Sequence, residues 1–132
     1  MKYNITEASI ADLDAVAVQF DLYRQFYKLD SDINSCKEYL RSRLEKNETK
    51  IFKAQTEDGA VVGFTQIYIT FSSITLNRMH VLYDLFVEKD YRKFGIGRAL
   101  MNKATEFAKS EGVSHIQLST AKDNNIAQAL YE

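Results

Sequence analysis

The chain of 132 residues is long enough to enclose a single core and too short for two ordinary domains. Apolar residues make up 45% and charged residues 27% of the sequence, which are the proportions of a soluble globular protein and exclude a disordered one. The formal net charge of −1 provides no overall attraction to nucleic acid or to an anionic membrane, so we expect neither as a partner.

Cysteine and histidine are too sparse to build a disulfide or a metal site of the usual cysteine type. Cys36 is the single cysteine, and the two histidines, His80 and His115, lie far apart in the sequence. We therefore expect no metal. The N-terminal residues lack the apolar segment of a signal peptide, and no apolar run approaches the ~20 residues that a membrane-spanning helix needs. A cytoplasmic location is the resulting expectation.

The first part of the chain has the pattern of one strand followed by two helices. Residues 2–6 alternate in the manner of a short strand. Ser9 and Asp12 resemble a helix-start box, and apolar residues at helical spacing then predict a helix over about 10–27. A second helix is predicted over about 34–46, with caps available from Asp32, Asn34 and Ser35.

The middle of the chain has the pattern of consecutive strands. Residues 50–55 and 60–71 are rich in β-branched and aromatic residues, and the turn residues at 57–59 separate them. After a polar loop, residues 80–87 are predicted to form a further strand. The order to this point is β-α-α-β-β-β.

The last part of the chain predicts a helix, a strand and a short final helix. A glycine pair opens the first of these helices, Gly112 is placed to end it, and the strand and final helix are predicted at 114–119 and about 124–131. Because a helix connects the strands at 80–87 and 114–119, we expect them to be parallel neighbours. The prediction is one mixed α/β domain over residues 1–132, with the order β-α-α-β-β-β-α-β-α.

A candidate phosphate-binding turn lies between the strand at 80–87 and the helix that follows. Glycine at positions 95 and 97 lets the backbone approach a ligand closely, and the unpaired N–H groups of a helix start favour an anion. Together with Arg92, Lys93 and Arg98, these groups suit a pyrophosphate. The turn lacks the Lys-Ser/Thr end of the nucleoside-triphosphatase loop and the glycine triplet of the dinucleotide fold. A tight turn followed by a basic helix remains the structural alternative.

With this turn and a second motif near its end, the sequence resembles the GNAT superfamily of N-acetyltransferases. The acetyl-CoA motif of that superfamily, Arg/Gln-x-x-Gly-x-Gly/Ala, is matched by Arg92, Gly95 and Gly97, and the strand that precedes it is similar over residues 84–87. A second signature, Asn-x-x-Ala-x-x-Leu-Tyr, is matched by Asn124, Ala127, Leu130 and Tyr131. The two motifs occur in the family order, and the resemblance extends over essentially the whole chain.

The resemblance implies an acyl-CoA N-acyltransferase fold and a position for the cosubstrate. In that fold the strand before the turn diverges from its neighbour, and the pantetheine arm of acetyl-CoA lies in the gap. The arm is then expected to contact the stretch Leu85, Phe86 and Val87, chiefly through the main chain, and also Asn124 and Ala127. The pyrophosphate is expected to contact Arg92, Lys93, Phe94, Gly95, Ile96, Gly97 and Arg98.

The resemblance also implies transfer of the acetyl group to a primary amine by direct attack in a ternary complex. Tyr131 would protonate the departing thiol, since a tyrosine pKa of about 10 lies close enough to the thiol value of about 8.5. Asp84 is the candidate general base, although similar enzymes carry a glutamate one position earlier, where Tyr83 stands, and neighbouring strand residues face opposite ways. A structural role for Asp84, Glu88 as the base, and a water relay stay open. The alternative function is an acyl-CoA-binding module without efficient turnover.

The acceptor and the assembly state are less closely defined by the sequence. The resemblance favours the branch that includes polyamine, diamine and histone-type acetyltransferases, so the acceptor is expected to be a small-molecule or peptide amine that contacts the first two helices and the loop at 71–75. Family members usually continue into further strands, whereas this sequence ends soon after Tyr131. We therefore expect the strand at 114–119 to have an open edge that a second subunit covers, which predicts a homodimer.

Overall fold

The computed structural model of the protein describes residues 1–113 and 116–119. It contains a five-stranded mixed sheet with helices on both faces. The strands are β1 (Tyr3–Glu7), β2 (Thr49–Thr56), β3 (Val61–Ser72), β4 (Asn77–Val87) and β5 (Ile116–Leu118), and the helices are α1 (Leu13–Phe26), α2 (Ile33–Glu45) and α3 (Ile96–Ser110). The predicted order is confirmed up to β5, and the predicted final helix lies outside the described residues. None of the described helices is long and apolar enough to cross a membrane.

The predicted helix starts correspond to real caps. Ser9 and Asp12 form the capping box, in which Asp12 Oδ2 accepts from Ser9 N at 2.8 Å, but the box caps a 3-10 turn over Ile10–Asp12 that leads into α1. Asp32 caps α2 by accepting from Ser35 N at 3.2 Å. These side chains satisfy amide groups that a helix start leaves unpaired.

The sheet has the strand order β1-β2-β3-β4-β5, with antiparallel pairing from β1 to β4 and parallel pairing of β4 with β5. The prediction of parallel neighbours is therefore confirmed. Within the described residues, β4 pairs with β5 from His80 to Leu82, and the last contact is Ser119 N donating to Leu82 O at 3.0 Å. Beyond Leu82, β4 pairs with β3 alone among the described strands.

Each face of the sheet has its own hydrophobic cluster. On one face α1 and α2 cover the first cluster, which includes Phe20, Leu40 and Phe64. On the other face α3 covers the second, which includes Ile67 and Leu100. The resulting order of layers is helix, sheet, helix.

A β-bulge in β4 changes the direction of the side chains that follow it. Opposite β3, Ile67 pairs with Leu82 but Gln66 pairs with Asp84, so Tyr83 is the extra residue. Leu82 packs in the α3 cluster, whereas Tyr83 and Asp84 both line a cavity beneath α1 and α2. The expectation that residues 83 and 84 face opposite ways is wrong here, because a bulge interrupts the alternation of the strand.

Candidate active site

A small cavity of about 140 Å³ lies at the N-terminus of α3. Gly95 precedes the helix with a φ of 81°, a left-handed conformation that glycine adopts without strain. The first backbone bond of the helix joins Ala99 N to Gly95 O at 3.0 Å. No described residue accepts a hydrogen bond from the amides of Ile96, Gly97 or Arg98. These unpaired amides, at the positive end of the helix dipole, form an anion cradle.

The three basic side chains around the anion cradle differ in their contacts. Lys93 and Arg98 are exposed and line the cavity, so their charges can reach an anion there. Arg92 also lines the cavity, but its Nε donates to Val87 O at 2.7 Å. Its guanidinium lies 5.7 Å and 5.6 Å from the ring centres of Phe26 and Phe86. Arg92 thus fastens the turn to the end of β4, which the sequence motif did not indicate.

The end of β4 leads from the anion cradle toward the interior. Glu88 N donates to Val62 O at 2.9 Å, so the N–H of Glu88 points toward β3. Because the peptide groups of a strand alternate in direction, those of Phe86, two residues earlier, also point toward β3. The peptide groups of Leu85 and Val87 consequently face the other edge, toward β5, where the described pairing has already ended. Among the described residues no strand pairs with this edge, so it offers main-chain donors and acceptors.

A larger cavity of about 830 Å³ lies between α1, α2 and the bulged part of β4. Aromatic rings form much of its wall, and Ser119, just after β5, also lines it, so the cavity reaches the last described residue that follows β5. The charged groups among the described lining residues are Arg24, Asp32 and Asp84. The first two helices, which the sequence analysis expected to contact the acceptor, contribute lining residues, whereas the loop at 71–75 contributes none. The acceptor contacts themselves stay a prediction.

Asp84 is held at the cavity wall by a buried network of polar side chains. Gln66 Nε2 donates to Asp84 Oδ2 at 2.7 Å, and Thr49 Oγ1 lies 2.9 Å from Gln66 Oε1 and donates to it, which fixes the amide so that its N–H groups face Asp84. Thr65 Oγ1 donates to the Asp84 carbonyl at 2.8 Å. Only 3% of Asp84 is exposed. The carboxylate is therefore both positioned and largely removed from water.

Burial raises the pKa of Asp84 from its ordinary value of 3.8 to about 6, even though hydrogen bonds from Gln66 and Tyr23 favour the charged form. Burial also raises the pKa of Tyr68, and the charge of Asp84 raises it further, so Tyr68 stays protonated. A carboxylate with a pKa near 6 is mostly ionised at neutral pH and is a stronger base than an ordinary aspartate. The arrangement can therefore accept a proton from a group bound in the cavity.

Residues 17–132 match the model of the acetyltransferase (GNAT) family. The uncharacterised N-acetyltransferase YhfO of Bacillus subtilis is 40% identical over 129 residues, which cover 98% of this chain and 86% of that protein. The chain belongs to the GNAT acetyltransferase family. It is accordingly an acetyl-CoA-dependent acetyltransferase.

Solved structures agree with membership of the GNAT family. The crystal structure of a probable acetyltransferase superposes with a TM-score of 0.89 at 32% identity, covering 97% of this chain and 85% of the other. A predicted acetyltransferase of Clostridium acetobutylicum, crystallised with acetyl-CoA, has a TM-score of 0.80 at 14% identity and covers 98% of this chain and 88% of its own. The second likeness supports the GNAT fold alone.

Most of the site residues predicted from the sequence fall into two groups in this GNAT chain. Val87, Arg92, Lys93, Gly95, Ile96, Gly97 and Arg98 line the small cavity. Asp84 lines the large cavity, Leu85 and Phe86 lie on β4 between the two, and Phe94 is half exposed beside the anion cradle. The predicted residues Asn124, Ala127 and Tyr131 lie outside the described part of the chain.

Sequence reasoning missed the residues that tune and surround Asp84. Gln66 lies on β3 and Thr49 on β2, and the sequence analysis assigned neither of them a role. Tyr23, which bonds to Asp84, sits in the amphipathic pattern of α1. A usable signal existed in the sequence, since polar residues within apolar strands are expected to have a buried partner.

Among the described residues, no group of three or more His, Cys, Asp or Glu side chains could hold a metal ion.

Proposed function

We propose that this acetyltransferase moves the acetyl group of acetyl-CoA to a primary amine in a ternary complex, with Asp84 as the general base. The observation that carries the proposal is the path along β4. Val87 lines the small cavity at the anion cradle, and Asp84, three residues earlier, lines the large cavity. Three residues of strand span about 10 Å, so one extended molecule can occupy both regions.

The fit of acetyl-CoA to this path rests on the donors that each part provides. The amides of Ile96, Gly97 and Arg98, with the charges of Lys93 and Arg98, suit the pyrophosphate. The outward-facing peptide groups of Leu85 and the N–H of Val87 suit the amides of the pantetheine arm, whereas the Val87 carbonyl already accepts from Arg92 Nε. The family motif assigns Asn124 and Ala127 to the same arm, and that assignment rests on the sequence.

The amine then enters from the large cavity and must lose a proton to become nucleophilic. A free alkylammonium has a pKa of about 10.4, so the base form at pH 7 costs roughly 4–5 kcal/mol. The mostly apolar wall favours the neutral amine, so the ammonium ion gives its first proton to solvent on entering. Asp84 takes the second proton from the nitrogen as the nitrogen lone pair forms its bond to the thioester carbonyl carbon. The carbon–sulfur bond breaks, and the leaving thiolate receives a proton from Tyr131, the donor that the family motif assigns.

Asp84→Asn tests this proposal directly, because it keeps the size of the side chain and removes the base. With an acceptor amine, thiol release should fall by about 10²–10⁴-fold, while the CoA dissociation constant measured by calorimetry stays within about twofold. Asp14→Asn, on an exposed residue of α1, is the matched control and should retain wild-type turnover. Undiminished turnover in a folded Asp84→Asn protein would rule out Asp84 as the base. Tight CoA binding without thiol release from any amine would instead favour a binding module.

A further inference from the structure

The large cavity has a wall built mainly of aromatic rings. Among the described residues six rings line it, contributed by α1, the segment after it, α2, β3 and β4. They are Phe20, Tyr23, Tyr27, Tyr39, Tyr68 and Tyr83. We refer to these six residues as the aromatic wall.

Contacts among the rings hold the aromatic wall in place. Phe20 stacks on Tyr39 with ring centres 5.9 Å apart and planes 9° apart. Tyr39 and Tyr68 join their hydroxyl groups at 2.6 Å, and Tyr83 meets Tyr68 edge to face at 5.5 Å. Such mutual contacts fix the rings before a ligand arrives, so little side-chain freedom is lost on binding.

Two rings of the aromatic wall keep much of their surface free. Tyr83 is 51% exposed and Tyr39 is 38% exposed, although both line the cavity. Tyr83 owes its direction to the bulge, which turns it to the same cavity as Asp84. Tyr39 already has Phe20 stacked on it and the Arg43 guanidinium 5.2 Å from its ring centre. Tyr83, next to the proposed base in the chain, is therefore the ring that offers a flat apolar ligand a surface against which to pack.

The charges around the cavity limit how many positive groups a ligand can bring. The described lining residues carry two carboxylates, Asp32 and Asp84, and one guanidinium, Arg24. Cys36 adds no charge near neutral pH, because burial raises the pKa of its thiol. Asp32 already caps α2. A molecule with several ammonium groups would be repelled by Arg24, and the described carboxylates are too few to pair with each of its charges. An unpaired charge in an apolar cavity raises the free energy of binding.

We propose that the acceptor is an arylalkyl monoamine, whose ring packs against the aromatic wall while its single amino group reaches Asp84. This rests on the proposed function, since it names the class of amine that the same site acetylates. The cavity volume of about 830 Å³ lies within the range of small-molecule sites and is large enough to admit an aromatic ring with an aminoalkyl chain. The ring supplies stacking energy, and the lone amino group matches the net charge of −1 that the described lining residues carry.

The test compares three probes at saturating acetyl-CoA, with thiol release as the readout. The probes are 2-phenylethylamine, n-hexylamine and spermidine. We expect kcat/KM for 2-phenylethylamine to exceed that of each other probe by about tenfold or more. Equal or faster turnover of spermidine or n-hexylamine would overturn the assignment of an aryl monoamine.

A pair of variants at one position links the preference to the aromatic wall. Tyr83→Leu should lower the ratio of kcat/KM for 2-phenylethylamine over n-hexylamine by about tenfold, whereas Tyr83→Phe should retain that ratio. An unchanged ratio in Tyr83→Leu would contradict the proposal. Tyr83 is half exposed, so the loss of its ring should leave the fold intact, and CoA affinity verifies this.

A binding measurement separates failure of this inference from failure of the proposed function. Calorimetric titration of 2-phenylethylamine and of spermidine into the protein saturated with CoA needs no chemistry. Tighter binding of 2-phenylethylamine, weakened by Tyr83→Leu, supports the aryl class even if no amine releases thiol, in which case the proposed turnover is wrong. Tighter binding of spermidine overturns the aryl class whatever the turnover.

Discussion

Asp84 combines two properties that oppose each other energetically. Its burial destabilises the charged carboxylate, whereas hydrogen bonds from Gln66 and Tyr23 partly stabilise it. The resulting pKa of about 6 suits a base that must be ionised near neutral pH and still hold a proton briefly. The same residue should therefore weaken the fold while it serves the reaction.

The first residue-scale prediction concerns the stability of Asp84→Asn. The folded pKa is raised, so the protonated aspartate favours the fold below the unfolded value of 3.8, and this advantage is lost as the pH rises through about 6. The amide that replaces the carboxyl group never ionises, so the variant should be about 1–3 kcal/mol more stable than the native chain at pH 7.5. Urea unfolding at pH 7.5 and at pH 4.5 measures this, and the difference should shrink at the lower pH. A pH-independent difference would contradict the raised pKa.

The second residue-scale prediction concerns Gln66, which donates a hydrogen bond to Asp84 and does not line the large cavity. For the native protein we expect log kcat/KM to fall with decreasing pH below about 6, as Asp84 becomes protonated. Gln66→Met removes a hydrogen bond that lowers the pKa of Asp84, so the acid limb should move to higher pH. Gln117→Met, on an exposed glutamine of β5, is the control and should leave the limb in place. A loss of rate at every pH without a shift would indicate a merely structural role for Gln66.

At the scale of one element, the start of α3 illustrates how a helix end becomes a binding surface. Gly95 adopts the left-handed conformation that opens the turn, and the amides that follow have no acceptor among the described residues. Each contact with the helix dipole contributes only about 0.3–1 kcal/mol at an exposed site. Several amides and the nearby cations must therefore act together on one ligand.

The element-scale prediction places a negative charge in the anion cradle. Gly97→Glu should weaken CoA binding by about 100-fold or more, equivalent to about 2.7 kcal/mol, because its carboxylate would occupy the position proposed for phosphate. Since Gly97 is buried, Arg98→Glu provides a second variant at an exposed neighbour and should weaken binding by about tenfold or more. Asn102→Glu, exposed farther along α3, adds the same charge as a control. Unchanged CoA affinity in both cradle variants would contradict the proposed phosphate position.

At the scale of the whole molecule, the proposed path for acetyl-CoA joins both hydrophobic clusters. Leu85 and Val87 belong to the cluster under α3, and Phe86 belongs to the cluster under α1 and α2. A ligand that binds along these residues should consequently stabilise the entire domain.

The whole-molecule prediction is a thermal shift specific to CoA. At a concentration 100 times its dissociation constant, CoA should stabilise the fold by about 2.7 kcal/mol, which corresponds to a rise in Tm of roughly 10 °C for a domain of this size. ATP and NAD at the same concentration should give a much smaller rise. A larger shift with NAD than with CoA would contradict the cosubstrate site.

The homodimer stays a prediction, for which the oligomeric state in solution is the measurement.

The sequence by itself determined the order of the elements up to β5, the parallel pairing of β4 with β5 and the glycine turn that opens α3, because these follow from local periods, helix caps and a turn with two glycines. The bulge at Tyr83 could not be predicted from the sequence, because an extra residue in one strand is defined only by its register with the partner strand β3. The network from Thr49 through Gln66 to Asp84 was also decided only by the tertiary structure, because it joins three strands at distant positions in the chain. Burial, and with it the raised pKa of Asp84, belongs to the packed protein as a whole. The sequence could therefore nominate this aspartate as a candidate base but could not show the surroundings that raise its pKa.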